Sequence, residues 1–456
     1  MNFLIAQLNV FRQIIWTPLF VLLVGTGLFL TVRLRGIQFT QLFYSLKLAF
    51  TRHDDKAQGD ISHFQALMTA LAATIGIGNI AGVATAITMG GLGSLFWLWV
   101  TSLIGMSIKY AEAILAIQYR EKDDRGEMVG GPMFYIEKGL KWKWLACAFA
   151  FFGTITTLFT GNIVQSNSIA SAVFNTFHIN VWVTGVILAV MTLLVLIGGI
   201  KAIGGVTSYL VPFMALFYIG GSLLVLALRF EFIPDAISSI FSSAFTGQAA
   251  FGGFAGASIM MAIQMGVTRG VFSNESGLGT APIAAAAAKT DYPGRQALIS
   301  MTGAFLSTIV CTFTGLAIAV TGVLGQLGAD HKLLTGVPMT IAAFDSVLPF
   351  GGVIVVLASI LFGYSTIIGW AYYGEKCCEY LLGTRSIFSY RLIFSLFVLL
   401  GVAIPLDIVW ALADIANAFM ALPNLIGIFA LTGVVVAQTK IFMNKVKKEN
   451  ISLNII

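Results

Sequence analysis

The sequence predicts an all-α integral membrane protein with about eleven transmembrane helices, and three observations support this prediction. Hydrophobic residues make up 58% of the 456 residues, whereas charged residues make up only 10%. The mean hydropathy is +0.91. Apolar runs of the roughly 20 residues that cross a bilayer as a helix recur along the chain. A soluble globule of this size could not cover so much apolar surface with so few charges.

The expected spans follow the chain in order, with gaps that are too short for a soluble domain. They lie at 14–32, 62–90, 93–119, 145–176, 181–200, 205–229, 252–288, 296–325, 349–382, 387–404 and 407–439. The last run contains Pro423-Asn424 and could be two helices, so ten to twelve spans are possible. Residues 36–53 have an amphipathic pattern and are expected to lie along a membrane face.

Lys and Arg residues are distributed asymmetrically between the predicted loops. With the N-terminus outside, 21 of the 26 fall on the cytoplasmic side, and only Arg12, Arg229 and Lys332 fall outside. Because basic loops stay in the cytoplasm, the chain is expected in the cell membrane with its N-terminus outside and its C-terminus inside. The basic residues form no extended face, which excludes nucleic acid as a partner despite the net charge of +6.

Two of the apolar runs contain glycine-rich, polar interruptions. One lies at 74–79 and the other at 266–277. Interrupted helices at matching positions in two halves are typical of a transporter binding site. If the first helix is an accessory, the interruptions fall in helices one and six of a ten-helix core, whose five-helix halves have opposite orientations. The expected divisions are an accessory helix and amphipathic segment (1–60), two five-helix repeats (61–231 and 232–440) and a cytoplasmic tail (441–456).

The interruptions suggest what the site binds. Unwound backbone at membrane depth is tolerated where it lines a cavity or binds a ligand. The N-terminus of a half-helix offers amides and a positive dipole end to a carboxylate. Freed carbonyls beside short hydroxyl or amide side chains suit a hard cation such as sodium.

Several segments resemble one known family. The residues Gly90 to Gly105, GGLGSLFWLWVTSLIG, closely resemble the signature of the alanine or glycine:cation symporter family, and the segments at 109–112, 130–133 and 269–275 resemble its recurring segments. The resemblance implies symport of small neutral amino acids, alanine or glycine, driven by sodium or in some members by protons. Glutamine or another neutral amino acid is the alternative substrate. The implied partners are the amino acid, sodium and the lipid bilayer, with no enzymatic activity, no cofactor besides the coupling ion and no obligate protein partner.

The chain is also similar to the leucine-transporter fold, whose first core helix has a Gly-x-Gly-Asn break like the one at 76–79. This likeness implies a site in which two backbone amides hold the substrate carboxylate, one sodium lies beside the substrate, and a second sodium lies against the eighth core helix. The implied residues are Gly76, Ile77, Gly78, Asn79, Gln165, Gly270, Phe272 and Ser273 for the substrate, Thr74 and again Asn79 for the first sodium, and Ala72, Ile75, Ser365 and Thr366 for the second.

Other residues in the spans receive more general interpretations. Ile77 and Phe272 are bulky, which favours alanine or glycine over glutamine or leucine, and Phe272 could close over the pocket. Lys109 and Glu112 are expected to form a structural ion pair, with the lysine snorkelling toward the cytoplasm. Arg269 and Glu275 are expected in an inner gate or a structural network rather than in contact with substrate.

Two other functional classes are less consistent with the sequence. A membrane-embedded enzyme usually clusters His, Asp or Cys residues, whereas the four histidines here, at 53, 63, 178 and 331, are scattered. The four cysteines form no CxxC pair. A channel would need a filter repeated around a pore, and two unlike internal interruptions favour alternating access instead.

Overall fold

The chain is almost entirely helical. The computed structural model describes residues 2–51, 57–246, 259–328, 331–404 and 406–453. Within these ranges, the strands form one short antiparallel hairpin of β1 (Glu121–Lys122) and β2 (Met128–Val129). The predicted all-α membrane class is confirmed.

Eleven α-helices precede residue 229. They are α1 (Asn2–Arg33), α2 (Ile37–Thr40), α3 (Leu42–Phe50), α4 (His63–Thr74), α5 (Ala81–Gly90), α6 (Gly93–Gln118), α7 (Pro132–Tyr135), α8 (Lys143–Leu158), α9 (Val164–Phe177), α10 (Val181–Ile197) and α11 (Gly199–Leu228).

Nine more α-helices follow in the described residues. They are α12 (Ile233–Thr246), α13 (Ile259–Asn274), α14 (Ala281–Ala286), α15 (Pro293–Thr321), α16 (Gly336–Asp345), α17 (Gly351–Leu382), α18 (Ile387–Gly401), α19 (Leu406–Ala430) and α20 (Thr432–Leu453). Short 3-10 or π turns lie at Ile77–Asn79, Ile136–Leu140, Phe159–Ile163, Phe230–Phe232 and Thr384–Ser386.

Many of these helices can cross a membrane. Among the described residues, eight helical segments are long and apolar enough, and one of them joins α8 and α9. The pair α4–α5 adds a ninth if it is counted as one bent span. The chain is therefore a multi-pass membrane protein, whereas the total of eleven spans remains a prediction.

The last predicted span differs from the expectation in where it breaks. Pro423 lies inside α19, which continues to Ala430, and α20 begins at Thr432. The crossing segment is Ile408–Ala430. A proline removes one helical hydrogen bond, which a membrane helix tolerates when neighbouring groups compensate. The run at 407–439 therefore contains two helices, which the sequence left open, but they meet after Ala430 rather than at Pro423-Asn424.

The first break lies where the sequence predicts it. Before it, α4 begins with a capping box, in which Ser62 Oγ accepts the Gln65 N–H at 3.1 Å and Gln65 Oε1 accepts the Ser62 N–H at 3.0 Å. The helix ends at Thr74, and the chain bends by 62° before α5 continues. Asn79 Oδ1 accepts the Gly76 N–H at 3.0 Å, so a side chain replaces one of the missing helical hydrogen bonds.

The second break is shorter than predicted and begins later. Residues 266–274 continue α13, and the unwound stretch covers residues 275–280 before α14. Glu275, Gly277 and Gly279 have positive φ angles of 54°, 84° and 81°. The predicted interruption at 266–277 is therefore only partly right.

Gly266 explains the difference, because it serves helix packing. A Cβ at Gly266 would lie 2.4 Å from the backbone oxygen of Ser94 in α6, so only glycine permits this approach. In a sequence, a glycine that allows close packing looks the same as one that breaks a helix. Residues 252–258, at the start of this predicted span, lie outside the described residues.

Both breaks lie in the packed centre of the bundle. Helix α13 packs against α5 and α6, while α17 packs against α4, α8, α9 and α11. The side chains of Ile77, Asn79 and Glu275 are at most 1% exposed. The fold thus brings the two unwound segments together within its buried core.

Candidate functional site

A small buried cavity lies between the two breaks. It is bounded by the first break, the π turn between α8 and α9, the end of α13, and α17. Its lining residues are Ala73, Thr74, Gly76, Gly78, Thr160, Gln165, Phe272, Glu275, Thr366 and Trp370. Six of the residues expected to bind substrate or sodium therefore line one cavity.

The first break is tied to α9 by Gln165. Gln165 Oε1 accepts the N–H of Ile77 at 3.2 Å, while its Nε2 donates to the carbonyl of Thr160 at 3.1 Å. The π turn at Phe159–Ile163 precedes this helix and brings Thr160 to the cavity wall. A polar side chain and an unwound backbone amide thus meet at the cavity, as the expected contact between Gln165 and the substrate requires.

An all-oxygen cluster lies beside the cavity, between α4 and α17. Ser365 Oγ lies 3.2 Å from the carbonyl oxygen of Ala72 and 3.5 Å from that of Ile75. Thr366 Oγ1 lies 3.1 Å from the Ala72 carbonyl oxygen. Both hydroxyl side chains are at most 2% exposed. These four residues are the expected ligands of the second sodium, and the fold brings all of them together.

The two residues expected to bind the first sodium, Thr74 and Asn79, face different parts of the structure. Asn79 Nδ2 donates to Ser307 Oγ at 2.8 Å and to Cys311 Sγ at 3.2 Å, both on α15. Thr74 Oγ1 donates to the Ala70 carbonyl at 2.6 Å. Asn79 thus faces α15, while Thr74 lines the cavity from the end of α4.

Besides Asn79, three residues expected to contact substrate lie off the cavity wall. A Cβ at Gly363 would lie 3.4 Å from Ile77 Cγ1, so the Ile77 side chain points toward α17. A Cβ at Gly270 would lie 3.2 Å from Thr101 Cβ in α6. Ser273 Oγ donates to the Gly78 carbonyl at 3.3 Å. Side-chain directions near a break depend on tertiary packing, which sequence spacing does not define.

Three lining residues, Ala73, Thr160 and Trp370, are not among those that the sequence predicts. A fourth, Glu275, is expected from the sequence to lie away from the substrate. Trp370 lies four residues after Thr366 in α17, so the two share a helix face, and this spacing could have identified it. Glu275 follows Phe272 by three residues at the end of α13.

An aromatic and ionic cluster covers the cavity toward the start of α13. The rings of Phe272 and Trp410 have centroids 5.1 Å apart, and the Arg269 guanidinium lies 4.9 Å from the Trp410 ring centroid. Asp414 Oδ1 is 4.0 Å from Arg269 Nη1, and its Oδ2 is 3.3 Å from Arg12 Nη1. Arg269 is one helical turn nearer the start of α13 than Phe272. Arg269 therefore belongs to a network of side chains with Trp410 and Asp414, which is one of its two expected roles, whereas a role in an inner gate stays a prediction.

Lys109 and Glu112 do not form the expected snorkelling pair. Lys109 is only 1% exposed, and its Nζ donates to Thr74 Oγ1 at 3.4 Å. Glu112 Oε1 accepts from Asn424 Nδ2 at 2.7 Å and from the Gly279 N–H at 3.2 Å. The lysine therefore lies at the first break and the glutamate at the second.

Polar contacts also close the opposite end of the bundle, near the hairpin. Arg120 Nη1 donates to the carbonyls of Ala286 and Ala288 at 3.0 and 2.7 Å. Lys376 Nζ lies 3.0 Å from Glu127 Oε2. The Met128 N–H donates to an Asp60 carboxylate oxygen at 2.7 Å. The cavity is thus covered at both ends.

The sequence profile of the Sodium:alanine symporter family matches residues 1–454. The chain belongs to this family. Sodium/alanine symporter AgcS from Methanococcus maripaludis is 54% identical, over 97% of this chain and 98% of AgcS. A probable sodium/glutamine symporter, GlnT from Bacillus subtilis, is 34% identical, over 96% of this chain and 90% of GlnT. The family and these relatives are transporters, and the predicted family is confirmed.

A solved structure shows the fold. The crystal structure of MhsT in complex with L-phenylalanine matches with a TM-score of 0.62 and 15% identity, over 84% of this chain and 93% of MhsT. At this identity the likeness concerns the fold alone. The predicted leucine-transporter-like fold of this symporter-family member is confirmed.

Proposed function

We propose that this protein couples the inward movement of sodium to the uptake of small neutral amino acids, principally alanine and glycine, by alternating access. The oxygen cluster of Ala72, Ile75, Ser365 and Thr366 beside the cavity is the observation that supports this most directly. Freed carbonyls at a helix break are a typical ligand set for sodium in transporters of this architecture. The 54% identity to a sodium/alanine symporter supports the same ion and substrate.

Thr366 provides a physical link between ion and substrate. Its hydroxyl belongs to the oxygen cluster, and the same residue lines the cavity. A sodium ion held between α4 and α17 would fix the two helices relative to each other and therefore fix two walls of the cavity. Coupling between the ion site and the substrate site requires such a shared element. Through it, each ligand changes the affinity of the protein for the other ligand by the same factor.

The cavity supports a preference for small side chains. Phe272 and Trp370 are large aromatic residues on a small cavity, so a bulky substrate would overlap them. Since the Ile77 side chain faces α17, it does not limit the size of the substrate. Glutamine is the alternative substrate, supported by the likeness to GlnT.

Alternating access requires the two covered ends to open in turn. We propose that the cluster of Arg269, Trp410 and Asp414 opens to the outside, and that the contacts of Arg120 and Lys376 open to the cytoplasm. The distribution of basic residues supports this orientation.

The orientation predicts which loops an impermeant thiol reagent can reach. In a variant without the native cysteines, His178→Cys should react in intact cells, because it follows α9 on the outer side. Asp124→Cys, at the exposed hairpin, should react only after the membrane is permeabilised. The opposite pattern would reverse the inside and outside assignments.

Uptake by purified protein in liposomes tests the function. Labelled alanine, glycine and glutamine should be compared with an inward sodium gradient, with equal sodium on both sides, and with a pH gradient in sodium-free buffer. We expect concentrative, saturable alanine and glycine uptake only with the sodium gradient. Equal or faster glutamine uptake would make glutamine the substrate, and uptake driven by the pH gradient alone would contradict sodium coupling.

A further inference from the structure

The cavity has one charged side chain among its described lining residues, that of Glu275. The other lining residues are neutral, and Glu275 itself is only 1% exposed. A buried carboxylate is costly unless it is paired or hydrogen-bonded. Its position on the wall of a substrate cavity therefore calls for a ligand group that interacts with a negative charge.

The protein satisfies this carboxylate only in part. Thr280 Oγ1 donates to Glu275 Oε2 at 2.7 Å, and the Trp370 side chain lies beside the same carboxylate. Both partners are neutral donors. They orient the group on the wall of the cavity, and the cation that acts on it is Lys109, which it shares with Glu112.

The buried charges around the second break are unequal in number. Two carboxylates, Glu275 and Glu112, lie near one ammonium group, that of Lys109. All three side chains are at most 1% exposed. Arg269, the other buried cation of α13, is already placed against Asp414. When all these groups are ionised, this part of the described structure has one negative charge more than it has counter-charges.

An amino acid supplies the missing group. Its zwitterion has a carboxylate, which suits the sodium ion proposed beside the first break, and an ammonium group with three donors. Glu275 lies at the second break, on the α13 side of the cavity. We infer that the Glu275 carboxylate receives the α-ammonium group of the substrate. This inference rests on the proposed function.

The inferred contact determines which ligands the cavity accepts. A primary ammonium group is required, because a deaminated analogue would not supply the positive charge that Glu275 otherwise shares with Glu112. An acidic side chain is disfavoured, because a second carboxylate in this small cavity would lie near Glu275. The contact therefore accounts for selection of neutral amino acids, whereas Phe272 and Trp370 account for size.

Glu275→Gln in the full-length protein tests the inference. Glutamine keeps the shape and can still accept the Thr280 hydroxyl through its amide oxygen, but it lacks the charge. Charge-assisted hydrogen bonds are worth about 1.5–3 kcal/mol, so we expect the alanine KM to rise roughly 10- to 100-fold at saturating sodium. The sodium concentration for half-maximal uptake, measured at saturating alanine, should change less than about twofold.

Competition by lactate separates recognition of the ammonium group from a general structural defect. Lactate keeps the carboxylate of alanine but has a hydroxyl in place of the ammonium group. In the wild type it should compete at least about tenfold more weakly than alanine, and in Glu275→Gln this difference should largely disappear. A structural defect would weaken both ligands equally. Ser276→Ala, in the same unwound stretch, is the control and should retain the preference for alanine, because the Ser276 hydroxyl has no hydrogen-bond partner among the described residues.

Two outcomes would overturn the inference. One is an unchanged alanine KM in Glu275→Gln. The other is lactate competing as well as alanine in the wild type, and this measurement needs no variant to fold. If wild-type uptake of alanine does not depend on sodium, the proposed function fails instead, so the two failures are distinguishable.

Discussion

The two helix breaks face the same cavity but differ in the polar groups beside them. Buried side chains bind the backbone of both breaks, as Gln165 does at Ile77 and Asn424 does at Gly277. Next to the first break, at residues 75–80, backbone oxygens also face the neutral hydroxyl of Ser365. The second break, at residues 275–280, instead presents the Glu275 carboxylate to the cavity.

This difference separates ion binding from substrate-amine binding. A neutral oxygen cluster can take up and release a cation without an unpaired charge remaining. A fixed carboxylate suits the ammonium group, which every amino acid contains. The second break must therefore be rigid enough to position Glu275, and Asn424 is central to that rigidity because it contacts both Glu112 and the unwound backbone.

The largest expected effect is on stability, from Asn424→Leu. This change removes the donor to Glu112 and to the Gly277 carbonyl, as well as the acceptor for the Tyr135 hydroxyl. Since an unsatisfied buried polar group costs about 1–3 kcal/mol, several together should lower the thermal unfolding temperature strongly in a detergent melt. Asn417→Leu is the matched control on α19, because the Asn417 amide has no hydrogen-bond partner among the described residues. Equal destabilisation by both changes would refute the role of Asn424.

The next effect concerns size selection. Phe272→Ala removes an aromatic side chain from the cavity wall, so leucine and glutamine should become better competitors of alanine uptake. One methylene in an apolar pocket is worth about 1–3 kcal/mol, so the leucine-to-alanine affinity ratio should rise about tenfold or more. Ile77→Val is the control, since that side chain faces α17 and should change the ratio less than about twofold. A larger effect at Ile77 than at Phe272 would restore the expectation drawn from sequence alone.

The sequence predicts the first break and its oxygen cluster well. The glycine-rich interruption at 76–79 fits a helix break, and this signal is local, so residue type and spacing are enough to find it. The hydroxyls at 365 and 366 are implied by the likeness to the leucine-transporter fold, because α17 contains other polar residues from which spacing alone does not distinguish them.

The second break could not be located as well, because its glycines have two different roles. Gly266 permits contact with α6, whereas Gly277 and Gly279 adopt positive φ angles in the unwound stretch. Only tertiary packing distinguishes these roles. The same reason explains why Ile77 was expected on the cavity wall and Glu275 away from it.

The most direct test of the proposed ion site is a sodium titration of alanine uptake at saturating alanine, in wild type and in Ser365→Ala. Removing the Ser365 hydroxyl leaves one ligand fewer for sodium, and we expect the half-maximal sodium concentration to rise about tenfold while the alanine KM at saturating sodium stays within about twofold. Ser359→Ala, a buried serine of α17 whose hydroxyl donates to the Val355 carbonyl at 2.7 Å, should behave like the wild type. An unchanged sodium requirement in Ser365→Ala would contradict the claim that the first break binds the coupling ion.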